Sequence, residues 1–241
     1  MNVVISIDNM KNVVKNTTSW SLVDLLCPYT CRGCGRLGAV LCGCCKNNIL
    51  EKHVDICPLC KRKLKEDERQ KCKDCKMEFR RIFVGGVREG ALAKLVAEYK
   101  YQSVRAIGRV LAEILDGVIP QNWGVNEDVV VVPLPTIGKH VRQRGLDHTL
   151  SLAKILARRR GWRVERMLMR EVDTVQVGTK AVERRAQAKK TYGITGKVRK
   201  SCKYLLLDDV WTTGASALAA LEVMRGAGAE DVSIVVIEVG K

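Results

Sequence analysis

The sequence predicts an α/β fold, with a mostly parallel sheet flanked by helices and a small cysteine-rich module in front of it. Three observations lead to this prediction. All eleven cysteines except Cys202 lie before residue 76, apolar runs alternate with helix-like segments from residue 81 onward, and 46% of the 241 residues are hydrophobic. We therefore expect a lead with a short helix over residues 1–26, a metal-binding module over 27–80 and an α/β domain over 81–241.

The elements of the α/β domain follow from hydrophobic spacing and from residues that end helices and strands. Continuous apolar runs predict buried strands, and Pro133 and Pro135 stop the first of them. Apolar residues three and four positions apart predict helices. The expected strands are 128–132, 163–169, 203–207 and 232–239, and the expected helices are 20–26, 87–100, 104–118, 147–159, 180–190 and 215–225, with an irregular polar segment at 173–179.

Four C-x-x-C pairs make the amino-terminal module a candidate metal-binding module. Each pair can form a tight turn that directs two thiolates at one ion, and the module has few large apolar residues to hold it together without metal. We expect one or two structural Zn²⁺ ions, in two consecutive ribbons or in a cross-braced arrangement. Redox dithiol chemistry is the alternative, although four pairs exceed what it needs. The expected ligands are Cys31, Cys34, Cys42, Cys45, Cys57, Cys60, Cys72 and Cys75, and the spare cysteines of the module are Cys27 and Cys44.

The chain is strongly basic, with 42 Lys and Arg against 26 Asp and Glu and a formal net charge of +16. Two zinc sites with four thiolates each lower this charge to about +12. Such a charge favours polyanionic partners, namely nucleic acid, nucleotides, pyrophosphate or an acidic membrane surface, and the alternative is an ordinary soluble basic protein. We find no secretory signal and no apolar run near the roughly 20 residues that span a bilayer, so we expect a cytoplasmic protein with reduced thiols.

The most specific segment is a strand-to-helix junction in the last quarter of the chain. An apolar strand runs into Asp208 and Asp209, a turn of Thr212, Thr213 and Gly214 follows, and then a helix is expected. Paired carboxylates can accept hydrogen bonds from vicinal hydroxyls. Hydroxyl side chains and free N–H groups at a helix N-terminus can hold a phosphate. These residues therefore predict a site for a phosphorylated ribose.

This junction resembles the 5-phosphoribosyl 1-pyrophosphate (PRPP) motif of type I phosphoribosyltransferases. The resemblance implies the type I phosphoribosyltransferase fold for the α/β domain. It also implies that Asp208 and Asp209 face the ribose hydroxyls as the catalytic acids, and that Mg²⁺ bridges the ribose and the pyrophosphate. The implied PRPP-binding residues of the junction are Asp208, Asp209, Val210, Trp211, Thr212, Thr213, Gly214, Ala215 and Ser216.

Three further segments make the chain similar to the ComF/GntX family over roughly residues 20–241. They are Val131-Val132-Pro133-Leu134-Pro135 followed by Arg142 and Arg144-Gly145; Tyr99-Lys100-Tyr101; and a loop-like segment with Arg170, Asp173-Thr174, Gln176, Gly178 and Glu183-Arg184. The chain departs from the family pattern at Leu146-Asp147-His148, where an aromatic-Asn-Gln element is usual, and at Thr179, where Leu is usual. The resemblance implies a double zinc ribbon and a role in DNA uptake during natural transformation (competence). Its implied partners are single-stranded DNA, a DNA-uptake helicase and other competence proteins.

Several side chains have two interpretations on sequence alone. Pyrophosphate needs cations, which are expected from Arg144, Lys100, Arg170 and Arg184, although each could be an ordinary surface charge. His148 is a general base or a structural hydrogen-bonding residue, and Trp211 stacks on a base or packs. Clusters that suit phosphate contacts of DNA, or a solvated helix face, are Arg158-Arg159-Arg160-Gly161-Trp162-Arg163, Arg184-Arg185 and Lys189-Lys190.

Three functions remain open from the sequence. The first is a PRPP- or ribose 5-phosphate-binding, phosphoribosyltransferase-like protein that acts in DNA uptake and contacts single-stranded DNA. The second is an active Mg²⁺-dependent phosphoribosyltransferase whose acceptor no residue identifies. The third is a regulator that senses PRPP without turnover. All three use the same site.

Overall fold

The computed structural model describes residues 29–52, 57–60, 62–63, 65, 72–73, 75, 79–102, 105–136, 147–170 and 192–240. Within these ranges the chain is a mixed α/β protein with a parallel central sheet and cysteine clusters at its amino-terminal side. The predicted fold class is confirmed to this extent. None of the described helices is both long enough and apolar enough to cross a membrane.

The described residues contain five helices and seven strands. The helices are α1 (Gly43–Glu51), α2 (Gly90–Gln102), α3 (Arg105–Val118), α4 (His148–Arg160) and α5 (Ala215–Gly226). The strands are β1 (Ile82–Val84), β2 (Val129–Pro133), β3 (Arg163–Val164), β4 (Leu168–Arg170), β5 (Tyr192–Ile194), β6 (Lys203–Trp211) and β7 (Asp231–Val239).

The main sheet has five strands in the order β1-β7-β6-β2-β3, and every neighbouring pair is parallel. β4 and β5 form a separate antiparallel pair. Continuous apolar sequence explains the central strands, because a strand covered on both faces must be apolar on both faces. In β6, for example, Leu205 and Leu207 face one core, while Tyr204 and Leu206 face the other.

The connections that follow β2 and β6 diverge at the carboxyl edge of the sheet. α4 leads from β2 to β3 and packs into the first core through Leu152 and Leu156. α5 leads from β6 to β7 and packs into the opposite core through Ala220 and Leu221. The two helices leave neighbouring strands toward opposite faces, and ligands of open parallel sheets bind where connections diverge in this way.

The first half of the cysteine module packs on the α2 and α3 layer. Val40 and Leu41 belong to the same buried core as these helices. Arg32 donates through Nε to both carboxylate oxygens of Glu98 on α2, at 2.8 and 2.9 Å, and Lys46 Nζ lies 2.8 Å from Glu113 Oε2 on α3. The module therefore has apolar and ionic contacts to the α/β core, and the boundary at residue 80 stays a prediction.

Most predicted elements are confirmed, with differences at their ends. Helices are found where 87–100, 104–118, 147–159 and 215–225 were expected, and strands where 128–132, 203–207 and 232–239 were expected. The single strand expected over 163–169 is instead two strands, because the chain leaves β2 after Glu165 and then pairs with β5. The helices expected at 20–26 and 180–190 and the polar segment at 173–179 lie outside the described residues.

Candidate functional site

The paired acids lie near the carboxyl end of β6, inside the strand rather than after it. Both are half-buried, and the backbone N–H of Asp209 donates to Asp208 Oδ1 at 2.8 Å. Burial, with the neighbouring Asp209 charge as a second cause, raises the pKa of Asp208 to about 7. Asp208 therefore keeps its proton to a higher pH than an ordinary aspartate does, and a hydroxyl donor or a cation at this position would favour its ionised form.

Lys100 reaches the second acid across the site. Its Nζ lies 2.7 Å from Asp209 Oδ2, and both side chains are partly buried. Lys100 lies in the last turn of α2, where the exposed carbonyl groups favour a cation. The structure thus brings the predicted cation Lys100 to the predicted acids, and an anionic ligand would compete with Asp209 for its charge.

The turn after β6 presents an open helix N-terminus. Gly214 is the N-cap of α5 with φ 74° and ψ 0°, and among the described residues no side chain caps it. The side chains of Thr212, Thr213 and Ser216 are exposed around it. The backbone N–H of Ala215 donates to Thr213 Oγ1 at 3.4 Å, so the hydroxyls lie beside the first N–H groups of α5. Exposed hydroxyls next to a helix N-terminus are an arrangement that can bind a phosphate.

Trp211 packs inside the protein instead of facing a ligand. Its side chain is 1% exposed and meets Phe79 edge-on at a centroid distance of 6.4 Å. The indole Nε1–H donates to the backbone carbonyl of Pro58 at 3.2 Å. The sequence left open whether Trp211 stacks on a base or packs inside the protein, and in the structure it packs.

Arg170 contacts Tyr192, a residue beside the site that sequence analysis missed. The Arg170 guanidinium lies 5.7 Å from the centroid of the Tyr192 ring. Burial is the largest cause and raises the pKa of Tyr192. The charge of Arg170 and a hydrogen bond with Ser216 lower this pKa, and the charge of Asp208 raises it. Tyr192 therefore lies between one predicted cation and two predicted site residues. No local motif marks it, because it belongs to a strand of only three residues.

Glu238 is a second missed residue. It lies in β7 opposite Val210, is 1% exposed, and its Oε1 is 3.4 Å from Arg88 Nε. Burial raises its pKa to about 6, against the opposing charges of Arg88 and Lys100, and Asp209 raises it further. The sequence signal that could have identified it is an acid directly after four consecutive apolar residues near the end of a strand.

Of the other residues predicted for the site, two lie outside the described residues and His148 lies within them. Arg144 and Arg184 lie outside the described residues. His148 is 3% exposed at the start of α4, with its ring edge-on to Tyr99 at 5.0 Å, and its backbone carbonyl accepts from the Tyr99 hydroxyl at 3.1 Å. Burial of the His148 ring favours its structural role over a role as general base.

The cysteines form two tetrads made of consecutive pairs. One holds Cys31, Cys34, Cys42 and Cys45, and the other holds Cys57, Cys60, Cys72 and Cys75, with the sulfur atoms of each within 4.8 Å of one another. The pairing is therefore sequential and not cross-braced. We call these the first and second tetrads.

The sulfur spacing in both tetrads fits zinc. A tetrahedral ion with Zn–S bonds near 2.3 Å requires sulfur atoms about 3.8 Å apart. The Cys34–Cys42 and Cys57–Cys75 Sγ pairs are 3.7 Å apart, and the Cys60–Cys72 pair is 3.9 Å apart. In the first tetrad the backbone N–H of Cys42 also donates to Cys31 Sγ at 3.3 Å, a contact that stabilises a thiolate ligand.

Cys42→Ser is expected to lower the zinc content of the purified protein from about two ions per chain to about one, because it leaves three thiolates at the first tetrad. Cys44→Ser is the matched control, since Cys44 is exposed and belongs to neither tetrad. Elemental analysis after gel filtration measures the content. Loss of zinc from Cys44→Ser, or full retention by Cys42→Ser, would contradict this ligand assignment.

The basic cluster that ends α4 is largely used within the fold. Arg159 Nη2 lies 3.3 Å from Asp116 Oδ2, and Arg160 pairs with the same carboxylate and donates to the Ile119 carbonyl at 2.7 Å. Arg163 pairs with Asp128. The Arg160 side chain is 9% exposed and is bound to Asp116 of α3, so it is engaged within the fold, and contacts of this cluster with DNA phosphates stay a prediction.

No protein-family model matches the sequence, and no curated protein matches it. A solved structure described as that of the allosteric regulatory enzyme of purine biosynthesis matches with a TM-score of 0.39 and 19% sequence identity. The match covers 58% of this chain and 30% of the other, so this chain spans less than a third of that protein's length.

Proposed function

We propose that the chain binds PRPP or ribose 5-phosphate at the carboxyl edge of β6, as a phosphoribosyltransferase-like protein of the ComF/GntX type. One observation carries this proposal. Asp208 and Asp209 lie four and three residues before Thr212, where the turn that ends at the N-cap Gly214 of α5 begins, beside the point where α4 and α5 leave the sheet toward opposite faces. Two carboxylates and an open helix N-terminus at that spacing match a sugar diol and the phosphate on its 5-position.

Each group at the site has a defined task in this proposal. The N–H groups and hydroxyls from Thr212 to Ser216 hold the 5-phosphate. Asp208 and Asp209 accept hydrogen bonds from the two ribose hydroxyls, and Lys100 moves from Asp209 toward the pyrophosphate. Carboxylate oxygens also suit Mg²⁺, which would neutralise charge on the pyrophosphate when bound.

The same residues serve a transferase or a sensor. In a transferase, pyrophosphate leaves the anomeric carbon, positive charge develops on the ribose ring, and a nucleophile then forms the new bond to that carbon. The half-buried carboxylates lie on one side of the ribose and would stabilise that charge. A sensor would bind PRPP in the same way and release it intact.

We further propose a cytoplasmic role in DNA uptake, with single-stranded DNA, a DNA-uptake helicase and other competence proteins as partners. The resemblance in residues 20–241 and the net charge of +16 support this role. A charge-driven contact predicts affinity for single-stranded DNA that falls steeply between 50 and 200 mM salt. Fluorescence anisotropy with a labelled oligonucleotide measures it, and no binding at the lower salt would rule the role out.

Lys100→Gln is expected to weaken PRPP binding about tenfold, because one charge-assisted contact to pyrophosphate is lost. Lys94→Gln is the control, since Lys94 is exposed on the same helix. Isothermal titration with PRPP and Mg²⁺, followed by product analysis over a panel of amines and bases, measures both affinity and turnover. Absence of PRPP and ribose 5-phosphate binding to the wild-type protein would refute the proposed function; binding without consumption would identify a sensor.

A further inference from the structure

We propose that the second tetrad controls the affinity of the phosphate-binding turn, and that Trp211 is the positioning residue that connects them. This inference rests on the proposed function, because it concerns the same turn. It assigns to the metal-binding module a task beyond holding its own chain together: metal at Cys57, Cys60, Cys72 and Cys75 would keep the turn after β6 in its phosphate-binding shape.

The connection from the second tetrad to Trp211 is direct. Pro58 lies between the ligands Cys57 and Cys60, and its carbonyl accepts the Trp211 indole N–H at 3.2 Å. Trp211 and Pro58 are both buried, so a change in this contact leaves a donor without water to replace its partner. Leu59, in the same C-x-x-C turn, packs against the core that contains Trp211 and also against the tetrad.

The connection from Trp211 to the phosphate-binding turn is equally close. Gly214 rests on the indole: a Cβ added to Gly214 would lie 2.2 Å from Trp211 Cζ2 and 2.5 Å from Cε2. The carbonyl of Trp211 accepts from the backbone N–H of Gly240 at 2.9 Å, which fixes the backbone beneath the ring. The position of the indole therefore determines how the turn enters α5.

In this series of contacts, the occupancy of the second tetrad by metal is the quantity that can change. The Cys57–Cys60 turn is held by thiolates that meet at one ion, and the second tetrad has a small apolar surround of its own, with Leu59 and Cys75 packed against Cys57 and Cys72. Without metal, the Pro58 carbonyl has no fixed position, and the indole loses its partner. The first tetrad differs because Cys31 packs into the opposite core, with α2 and α3.

The affinity for ribose 5-phosphate tests this link. Trp211→Phe keeps an aromatic ring but removes the indole N–H, and it is expected to weaken ribose 5-phosphate binding about fivefold. Trp162→Phe is the matched control, because Trp162 packs against Trp123 in the opposite core. Cys60→Ser should weaken binding by a similar factor, while Cys34→Ser, an exposed ligand of the first tetrad, should leave it within about twofold. In the double variant Trp211→Phe/Cys60→Ser the two losses should not add.

A reciprocal measurement needs no substitution. If metal at the second tetrad strengthens ribose phosphate binding, the ligand must strengthen metal binding by the same factor. Saturating ribose 5-phosphate should therefore raise the affinity of about one of the two zinc ions, measured at equilibrium by competition with a chromogenic chelator.

A third measurement is independent of any ligand. The chain has four tryptophans, and nitrogen-15 spectra resolve their indole N–H signals, of which Trp211→Phe identifies one. That signal should move in Cys60→Ser and stay in Cys34→Ser. A signal that stays in place after zinc is lost from the second tetrad, or full ligand affinity in Trp211→Phe, would overturn the inference. Failure of wild-type protein to bind both PRPP and ribose 5-phosphate would instead refute the proposed function, since the indole signal reports the link without a ligand.

Discussion

At pH 8, Asp208→Asn is expected to raise the free energy of unfolding of the ligand-free protein while it abolishes binding of ribose 5-phosphate. Burial and Asp209 raise the pKa of the Asp208 carboxyl from 3.8 to about 7, so keeping it ionised in the fold costs up to about 4 kcal/mol. Asparagine has nearly the same shape and carries no charge. It cannot accept through two charged oxygens from a diol, and the ligand contact is lost.

The pH dependence of this effect has a definite sign. A raised pKa means that the folded state holds its proton more tightly, so the contribution of Asp208 to stability is fully present below pH 3.8 and is lost as the pH rises through about 7. Between pH 6 and pH 8 the advantage of Asp208→Asn should therefore grow by about 1 kcal/mol. Urea denaturation of both proteins at several pH values in this interval measures it.

Asp209→Asn is the matched control for this prediction. Asp209 already has the Lys100 ammonium 2.7 Å away, so removing its charge breaks an ion pair and should not stabilise the protein to the same extent. Equal stability of Asp208→Asn and wild type at pH 8, or equal stabilisation by Asp209→Asn, would contradict the assignment of a half-buried, destabilising carboxylate to Asp208. A carboxylate that destabilises the folded protein from within a parallel strand indicates a functional role.

The central fold could be predicted because its signals are local. Strands β2, β6 and β7 are apolar runs, and α2, α3, α4 and α5 have apolar residues at helical spacing. The missed elements are short or depend on tertiary contacts. β1 and β5 have three residues each, and α1 has no fully buried residue, so their stability comes from partners distant in sequence.

The site residues show the same difference between local signals and tertiary contacts. Asp208, Asp209 and the glycine turn are contiguous in sequence, so the strand-to-helix pattern was sufficient to find them. The contact of Lys100 with Asp209 joins residues more than a hundred positions apart, and that of Trp211 with Pro58 joins residues 153 positions apart. The family resemblance suggested Lys100, but no spacing rule predicts that the tryptophan inside the turn would reach back to a cysteine tetrad.

The tetrad connectivity shows a different kind of limit. Four C-x-x-C pairs can be grouped consecutively or crosswise, and the spacing is compatible with both. The structure groups them consecutively because the two halves of the module join different layers. The first tetrad packs with α2 and α3, and the second lies beside Trp211 at the carboxyl edge of the sheet.

Gly214→Ala is expected to destabilise the protein by about 2–4 kcal/mol and to weaken ribose 5-phosphate binding at least tenfold. Two costs add: a side chain at φ 74° is unfavourable by about 1 kcal/mol or more, and the new Cβ would lie 2.2 Å from the Trp211 ring. Relief of that overlap must move the turn or the indole, and either shift disturbs the N–H groups that would hold the phosphate.

Gly161→Ala separates these two costs. Gly161 has φ 70°, and nothing lies within 4 Å of its added Cβ, so only the backbone cost of about 1 kcal/mol applies. The difference between the two variants in urea denaturation is then the cost of the contact with Trp211. Trp211→Leu in the Gly214→Ala background removes the overlapping ring atoms and should recover part of that difference, although each substitution alone destabilises. Equal losses in Gly214→Ala and Gly161→Ala, with no recovery in the double variant, would show that the turn does not depend on the indole beneath it.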